Sequence, residues 1–130
     1  MTLIPDAAST LRRALANAVV VPVTPYLADG NPDWDTYAAL TARLIDAGIS
    51  VITPNGNTGE FYALSQAEAR QALETAAKVA GAGGERGAEV LAGVGHDIAT
   101  AIDAARHAQD HGARPGVLGG RRARFHLGPG

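Results

Sequence analysis

Apolar positions along the chain follow two rhythms that alternate. Short, largely apolar runs lie at residues 18–23, 49–53 and 90–94. Between them, apolar residues recur every three or four positions, as on one face of a helix. The first run, Ala18 to Val23 in the order Ala-Val-Val-Val-Pro-Val, reads as a parallel strand buried on both faces. Pro22 has no N–H for a ladder and is expected at the strand's end. After a loop carrying Asp29 and Gly30, Asp33 opens a helix whose Tyr37, Leu40, Leu44 and Ile45 share one stripe. Gly48 is placed to close that helix in the left-handed conformation.

The second run ends at Pro54 and gives way to a polar glycine loop, residues 55–60 (Asn-Gly-Asn-Thr-Gly-Glu). Ser65 and Glu68 form a capping box for the next helix, which presents Ala69, Leu73, Ala76, Ala77 and Ala80 on one face. Residues 81–87 read as a flexible connector. The third run follows, and Asp97 caps a third helix ending at Gly112. A short helix at residues 11–15, capped by Ser9 or Thr10, precedes the whole series. Alternation at this spacing predicts an α/β fold of about three β/α units with parallel strands. Right-handed crossovers put the loops after each strand on one edge, where such folds hold their sites.

Composition narrows the chemistry. The chain lacks cysteine, which excludes disulfides, zinc–thiolate centres and cysteine nucleophiles. No stretch of eighteen apolar residues occurs, so no membrane span is expected. The first residues lack the apolar core of a secretory signal, and a cytoplasmic location is expected. Lys78 is the single lysine; it lies in mid-helix four residues after Glu74 and reads as a solvated surface amine rather than a nucleophile. No catalytic residue and no cofactor is assigned within the 130 residues.

The glycine loop is the strongest candidate site. Gly56 and Gly59 would let the backbone turn tightly and approach a ligand, and Asn57, Thr58 and the loop's N–H groups could hold an anion. On its own, however, the loop reads more readily as an ordinary β-to-α turn. His107 and His111 are four apart on a helix, but no third ligand is evident and no metal is assigned. His96 follows the third strand on the functional edge, as a cap or a substrate contact. Gly93, Val94 and Gly95 faintly resemble a dinucleotide fingerprint, although Ile98 occupies the third small position. A small flavodoxin-like, non-catalytic nucleotide- or anion-binding module is therefore the alternative reading.

Taken in order, Thr24, Pro25 and Tyr26 after the first strand, Asp29-Gly30, the Gly56-Asn57-Thr58-Gly59-Glu60 motif, Leu64-Ser65 with Glu68, and Ala92-Gly93-Val94-Gly95 resemble the dihydrodipicolinate synthase/N-acetylneuraminate lyase family. The resemblance spans about residues 19–112. It implies the N-terminal part of a (β/α)₈ TIM barrel, and a lyase, aldolase or dehydratase that forms a Schiff base between a lysine and a 2-oxo acid such as pyruvate. It further implies that Gly56, Asn57, Thr58 and Gly59, with Thr24, bind the substrate carboxylate, and that the assembly is a homotetramer. The family's Schiff-base lysine and key tyrosine come from later strands and have no counterpart here. Asn57 stands where the family usually has Thr or Ser. An amide can hydrogen-bond an oxyanion but cannot relay a proton as a hydroxyl does, which leaves a dehydratase, an aldolase and the synthase open.

The last stretch differs in character. Residues 1–113 hold seven Lys or Arg and thirteen Asp or Glu, whereas residues 114–130 hold four Arg and no acid. Eleven of those seventeen residues are Gly, Arg or Pro, and the apolar pattern fades. Residues 1–112 are thus expected to form the partial barrel and 113–130 an aberrant tail, of the kind a shifted reading frame with an early stop produces. Arg121, Arg122 and Arg124 on an acidic chain make a weak electrostatic footprint, and no nucleic-acid partner is expected. Three strands with open edges predict an association-prone product without lyase activity.

Overall fold

A computed structural model of the chain describes residues 7–82 and 87–117. Its elements run α1 (Ala7–Leu15), β1 (Val19–Val20), α2 (Trp34–Asp46), β2 (Val51–Ile52), α3 (Gln66–Ala82), β3 (Glu89–Val94), α4 (Ile98–Asp110) and β4 (Arg114–Val117). The strands lie in the order β1-β2-β3-β4, every neighbouring pair parallel. Sequential order means that each crossover moves one place in the same direction, as in a barrel. A flavodoxin-like sheet reverses direction at a switch point, and no such point exists among the described strands. The nucleotide-module alternative is thereby set aside.

The local signals act where they were expected. Asp33 caps α2 by accepting from the Thr36 N–H (3.0 Å), and Asp97 caps α4 by accepting from the Thr100 N–H (2.9 Å). The capping box closes in both directions: the Ser65 N–H donates to Glu68 (2.7 Å), and the Glu68 N–H to the Ser65 hydroxyl (3.2 Å). Gly48 takes φ +101° directly after the α2 C-cap, Ala47. Thr41, β-branched and fully buried within α2, stays satisfied because its hydroxyl donates to the Tyr37 carbonyl one turn back (2.8 Å).

The core lies between the sheet and α2, α3 and α4. Tyr37, Ile45, Ile52, Leu73, Val90 and a run of alanines (72, 76, 80, 92, 108 and 113) form one buried cluster. Alanine at most of the buried positions of α3 and α4 lets these helices sit close against the strands. The few large side chains then supply most of the driving force, about 1.5–3 kcal/mol for each fully buried Ile or Leu. The expected α3 stripe is shifted in part: Ala72 is fully buried, while Ala69 and Ala77 are half-covered.

Three expectations are corrected. The first helix begins at Ala7, so Ser9 and Thr10 lie inside it and cap nothing. The first strand is paired only over Val19 and Val20, and Val19 and Val23 are exposed rather than buried on both faces. The reason is topological: β1 has one partner, β2, and no strand covers its other side among the described residues. Strand character also continues past Ala113. Arg114 to Val117 pair with Leu91 to Val94 in register. The apolar pattern there is thin because backbone pairing and two specific contacts stand in for it. Arg114 Nε lies 3.5 Å from Glu89 Oε2. Gly116 leaves room for Leu91, whose Cδ1 would sit 3.1 Å from any added Cβ. The rest of the basic tail, including Arg121, Arg122 and Arg124, lies outside the described residues, as do the central residues of the 81–87 connector, whose first two positions belong to α3. No described helix is long and apolar enough to cross a membrane.

Candidate functional site

The glycine loop stands at the C-terminal end of β2, on the edge the topology selects. Asn57–Gly59 forms one 3₁₀ turn and Phe61–Ala63 a second, with Glu60 between them at φ +59°. The first bonds of the turn are donated by the Gly59 N–H to the Gly56 carbonyl and by the Glu60 N–H to the Asn57 carbonyl, both 3.0 Å. As at any helical start, the N–H groups of Asn57 and Thr58 precede these bonds and have no acceptor within the turn. Both residues are exposed. Two backbone donors with no acceptor inside the turn, the Asn57 amide and the Thr58 hydroxyl thus belong to two adjacent exposed residues.

What holds the turn is the segment that follows β1. The buried Thr24 hydroxyl donates to the Gly59 carbonyl at 2.7 Å. That bond engages its proton and makes Thr24 a support beneath the turn, with its lone pairs alone remaining for a ligand. Tyr26 donates its phenol to Glu60 Oε2 (2.8 Å), and this bond to a carboxylate raises the phenol's pKa above its ordinary value. On the other side, Asn55 takes φ +61° and its Nδ2 donates to the Ala69 carbonyl of α3 at 2.9 Å.

The glycines serve a purpose other than the one the sequence suggested. Neither Gly56 nor Gly59 has positive φ; that strain falls on Asn55 and Glu60. Gly56 is required by close approach, because a Cβ there would meet Val21 Cγ1 at 2.4 Å. At Gly59 a Cβ would meet the Pro22 carbonyl oxygen at 3.0 Å. Both glycines let the turn lie flat against Val21 and Pro22, just past the end of β1. The dipole of α3 contributes little at the turn. The α-helix starts only at Gln66, beyond the second 3₁₀ turn, and its field fades within its first turn. The turn's own N–H groups, rather than the dipole of α3, are what an anion would meet.

The other candidates lie after β3 and on α3 and α4. His96 stands at the end of β3 with φ +70° and packs against Phe61 (ring centroids 4.9 Å) and Tyr62 (5.3 Å). A cleft between α3 and α4 is lined by Asn55, Phe61, Leu73, His96, Asp103 and His107 among others, and neither Asn57 nor Thr58 reaches it. Lys78 is exposed on α3, consistent with a surface amine. His107 and His111 do gain a third companion, contrary to the sequence reading: Glu74 of α3 lies against both. Sequence spacing relates residues within α4 only, and Glu74 is brought in by helix packing.

The model of the dihydrodipicolinate synthetase family matches residues 14–118, most of the chain. The chain belongs to this family. It is 38% identical over 109 residues to a Streptomyces coelicolor protein named "Probable 5-dehydro-4-deoxyglucarate dehydratase 2", covering 79% of this chain and 31% of that one. It is 34% identical over 110 residues to 4-hydroxy-tetrahydrodipicolinate synthase of Campylobacter jejuni, covering 82% and 35%. Among solved structures, dihydrodipicolinate synthase from Bacillus clausii superposes with a TM-score of 0.73 at 39% identity, over 81% of this chain and 34% of that one. The chain thus spans about a third of the length of the relatives it matches. Its four parallel strands are part of a family barrel. The match running to residue 118 takes in β4, beyond the expected end near residue 112.

Proposed function

We propose that this chain carries the carboxylate-binding turn of a Schiff-base lyase acting on small 2-oxo acids such as pyruvate. One observation carries the reading: the N–H groups of Asn57 and Thr58 open a 3₁₀ turn at the C-terminal end of β2, with no acceptor inside the turn and the Thr24–Gly59 bond beneath it. A carboxylate there accepts from both amides, with the Thr58 hydroxyl and Asn57 amide as further donors. Binding one end of the substrate this way fixes where its ketone carbon lies, which is how a positioning group aids an attacking amine.

In such a reaction a lysine amine adds to the ketone carbon, and the carbinolamine loses water to give an imine. The single lysine of this sequence, Lys78, is exposed on α3, whereas an amine nucleophile of this kind works from an enclosed site. The amine is therefore supplied from outside these 130 residues, and this chain alone binds the acid without turning it over. Asn57 orients the carboxylate but passes no proton, so any proton relay uses other groups. The relatives named above include both a dehydratase and a synthase, in keeping with one cradle serving more than one lyase reaction.

Borohydride trapping with labelled pyruvate tests this. The expected result is no covalent adduct on the chain as it stands, and a 1:1 adduct when it is joined to the later strands of a family relative. An adduct on Lys78 would overturn the reading.

A further inference from the structure

The contact between α3 and α4 carries a ladder of polar groups unconnected with the glycine turn. Arg70 pairs with Asp103, and one helical turn further along Glu74 meets His107 and His111. Glu74 Oε1 lies 3.1 Å from His107 Nε2 and 4.0 Å from His111 Nε2, and the three ligand atoms all fall within 4.8 Å of one another.

Two details set this cluster apart from an ordinary ion pair. His107 is largely covered, with its side chain 12% exposed, and its Nε2 is buried without a hydrogen bond. At 3.1 Å from Glu74 the nitrogen is close enough for a bond, but the alignment is wrong for one. His111 is fixed in the opposite sense. Its Nδ1 sits 2.9 Å from the His107 carbonyl, which can only accept, so the proton resides on Nδ1 and the lone pair on Nε2. A backbone carbonyl orienting a histidine through its far nitrogen is the usual support for a ligating imidazole.

We propose that Glu74, His107 and His111 bind a late first-row divalent cation such as zinc, which clamps α3 to α4. Two imidazole nitrogens and one carboxylate oxygen are the donor set these ions favour. Tetrahedral zinc holds its N and O ligands at about 2.0–2.2 Å, which places ligand atoms about 3.3 Å apart. The Glu74–His107 pair is already at that separation. Glu74 and His111 are both exposed enough to close the remainder by side-chain rotation. A fourth position is left for water. The cation gives the orphaned His107 nitrogen a partner and places its charge beside a carboxylate.

The test titrates Zn²⁺ into the tag-free, chelator-stripped full chain by calorimetry, with X-ray absorption on the loaded protein. With no cysteine in the sequence, thiolates cannot compete. The expected result is one ion per chain, two imidazoles in the scattering pattern, and a weakening of tenfold or more in both Glu74→Gln and His111→Ala. These substitutions fall on exposed side chains, and unchanged circular dichroism checks that each variant keeps its fold. No saturable 1:1 binding by the wild-type chain overturns the proposal. So does binding that survives both substitutions, or that is lost instead in His96→Ala. Either result leaves the carboxylate turn untouched, since no residue is shared.

Discussion

Replacing Gly56 by alanine probes the packing that shapes the turn. An added Cβ lies 2.4 Å from Val21 Cγ1 and 3.1 Å from Cγ2, whereas carbon atoms pack at about 3.5–4.0 Å. Something must therefore move by about 1 Å. Val21 is half-buried and β-branched, so its methyl groups have few rotamers to retreat to, and the turn itself lifts off the segment that follows β1. Overpacking of this kind costs about 1–3 kcal/mol. Taking about 2 kcal/mol, local opening becomes about 30-fold more frequent. The Thr53 amide, which donates to the Val20 carbonyl at 2.8 Å, reports directly on that opening. Its hydrogen exchange should accelerate about 30-fold in Gly56→Ala. In a Val21→Ala background the nearest atom to the new Cβ is the Val21 Cβ position at 3.4 Å, an ordinary contact. The same substitution there should accelerate exchange only a few-fold, although Val21→Ala has an effect of its own. Equal acceleration in the two backgrounds would refute the reasoning, because the clash would then not be with Val21.

Thr24→Val should leave the buried Gly59 carbonyl without its 2.7 Å donor, loosening the turn by about 1–3 kcal/mol, while Thr24→Ser should not; exchange of the Gly59 and Glu60 amides distinguishes the two. Hydrogen bonds from the hydroxyl and N–H of Thr36 hold the Asp33 carboxyl below its usual pKa, and those from the N–H and hydroxyl of Thr100 do the same for Asp97. A depressed folded-state pKa gives stability that is full above the unfolded value, about 3.9, and is lost as the pH falls through the folded value. Helical circular dichroism should accordingly drop on acidification below about pH 4, and less so in the Asp33→Asn, Asp97→Asn double variant, whose caps do not titrate. Glu60→Gln replaces the carboxylate whose hydrogen bond, and to a lesser extent its charge, raises the Tyr26 phenol, and should bring that group back toward about 10 in an ultraviolet absorbance titration, with Tyr26→Phe assigning the signal.

The features legible in the sequence are those set by neighbours in the chain. Caps at Asp33, Asp97 and Ser65 and the closing Gly48 each depend on a few adjacent residues, and the structure has them all, whereas the paired strands stop at Val20 and Ile52, two residues before Pro22 and Pro54. The resemblance along residues 19–112 supplied the barrel, which local pattern alone left level with a flavodoxin-like sheet. What escaped depends on partners distant in sequence. Exposure of Val19 follows from which strand sits beside it, and β4 is recognisable only from its pairing with β3. Positive φ fell on Asn55 and Glu60, where side-chain bonds to Ala69 and Tyr26 hold these residues, rather than on the glycines between them. Glu74 joined His107 and His111 through helix packing, which spacing along one helix cannot reveal.

The claim that the turn at residues 57–59 receives a carboxylate is tested most directly by titrating pyruvate into isotope-labelled chain and following every backbone amide. The Asn57 and Thr58 amide signals should move in a saturable way, and the movement should be lost in Thr24→Val. Saturable shifts centred elsewhere, or none at these two amides at pyruvate concentrations that saturate a family enzyme, would contradict it.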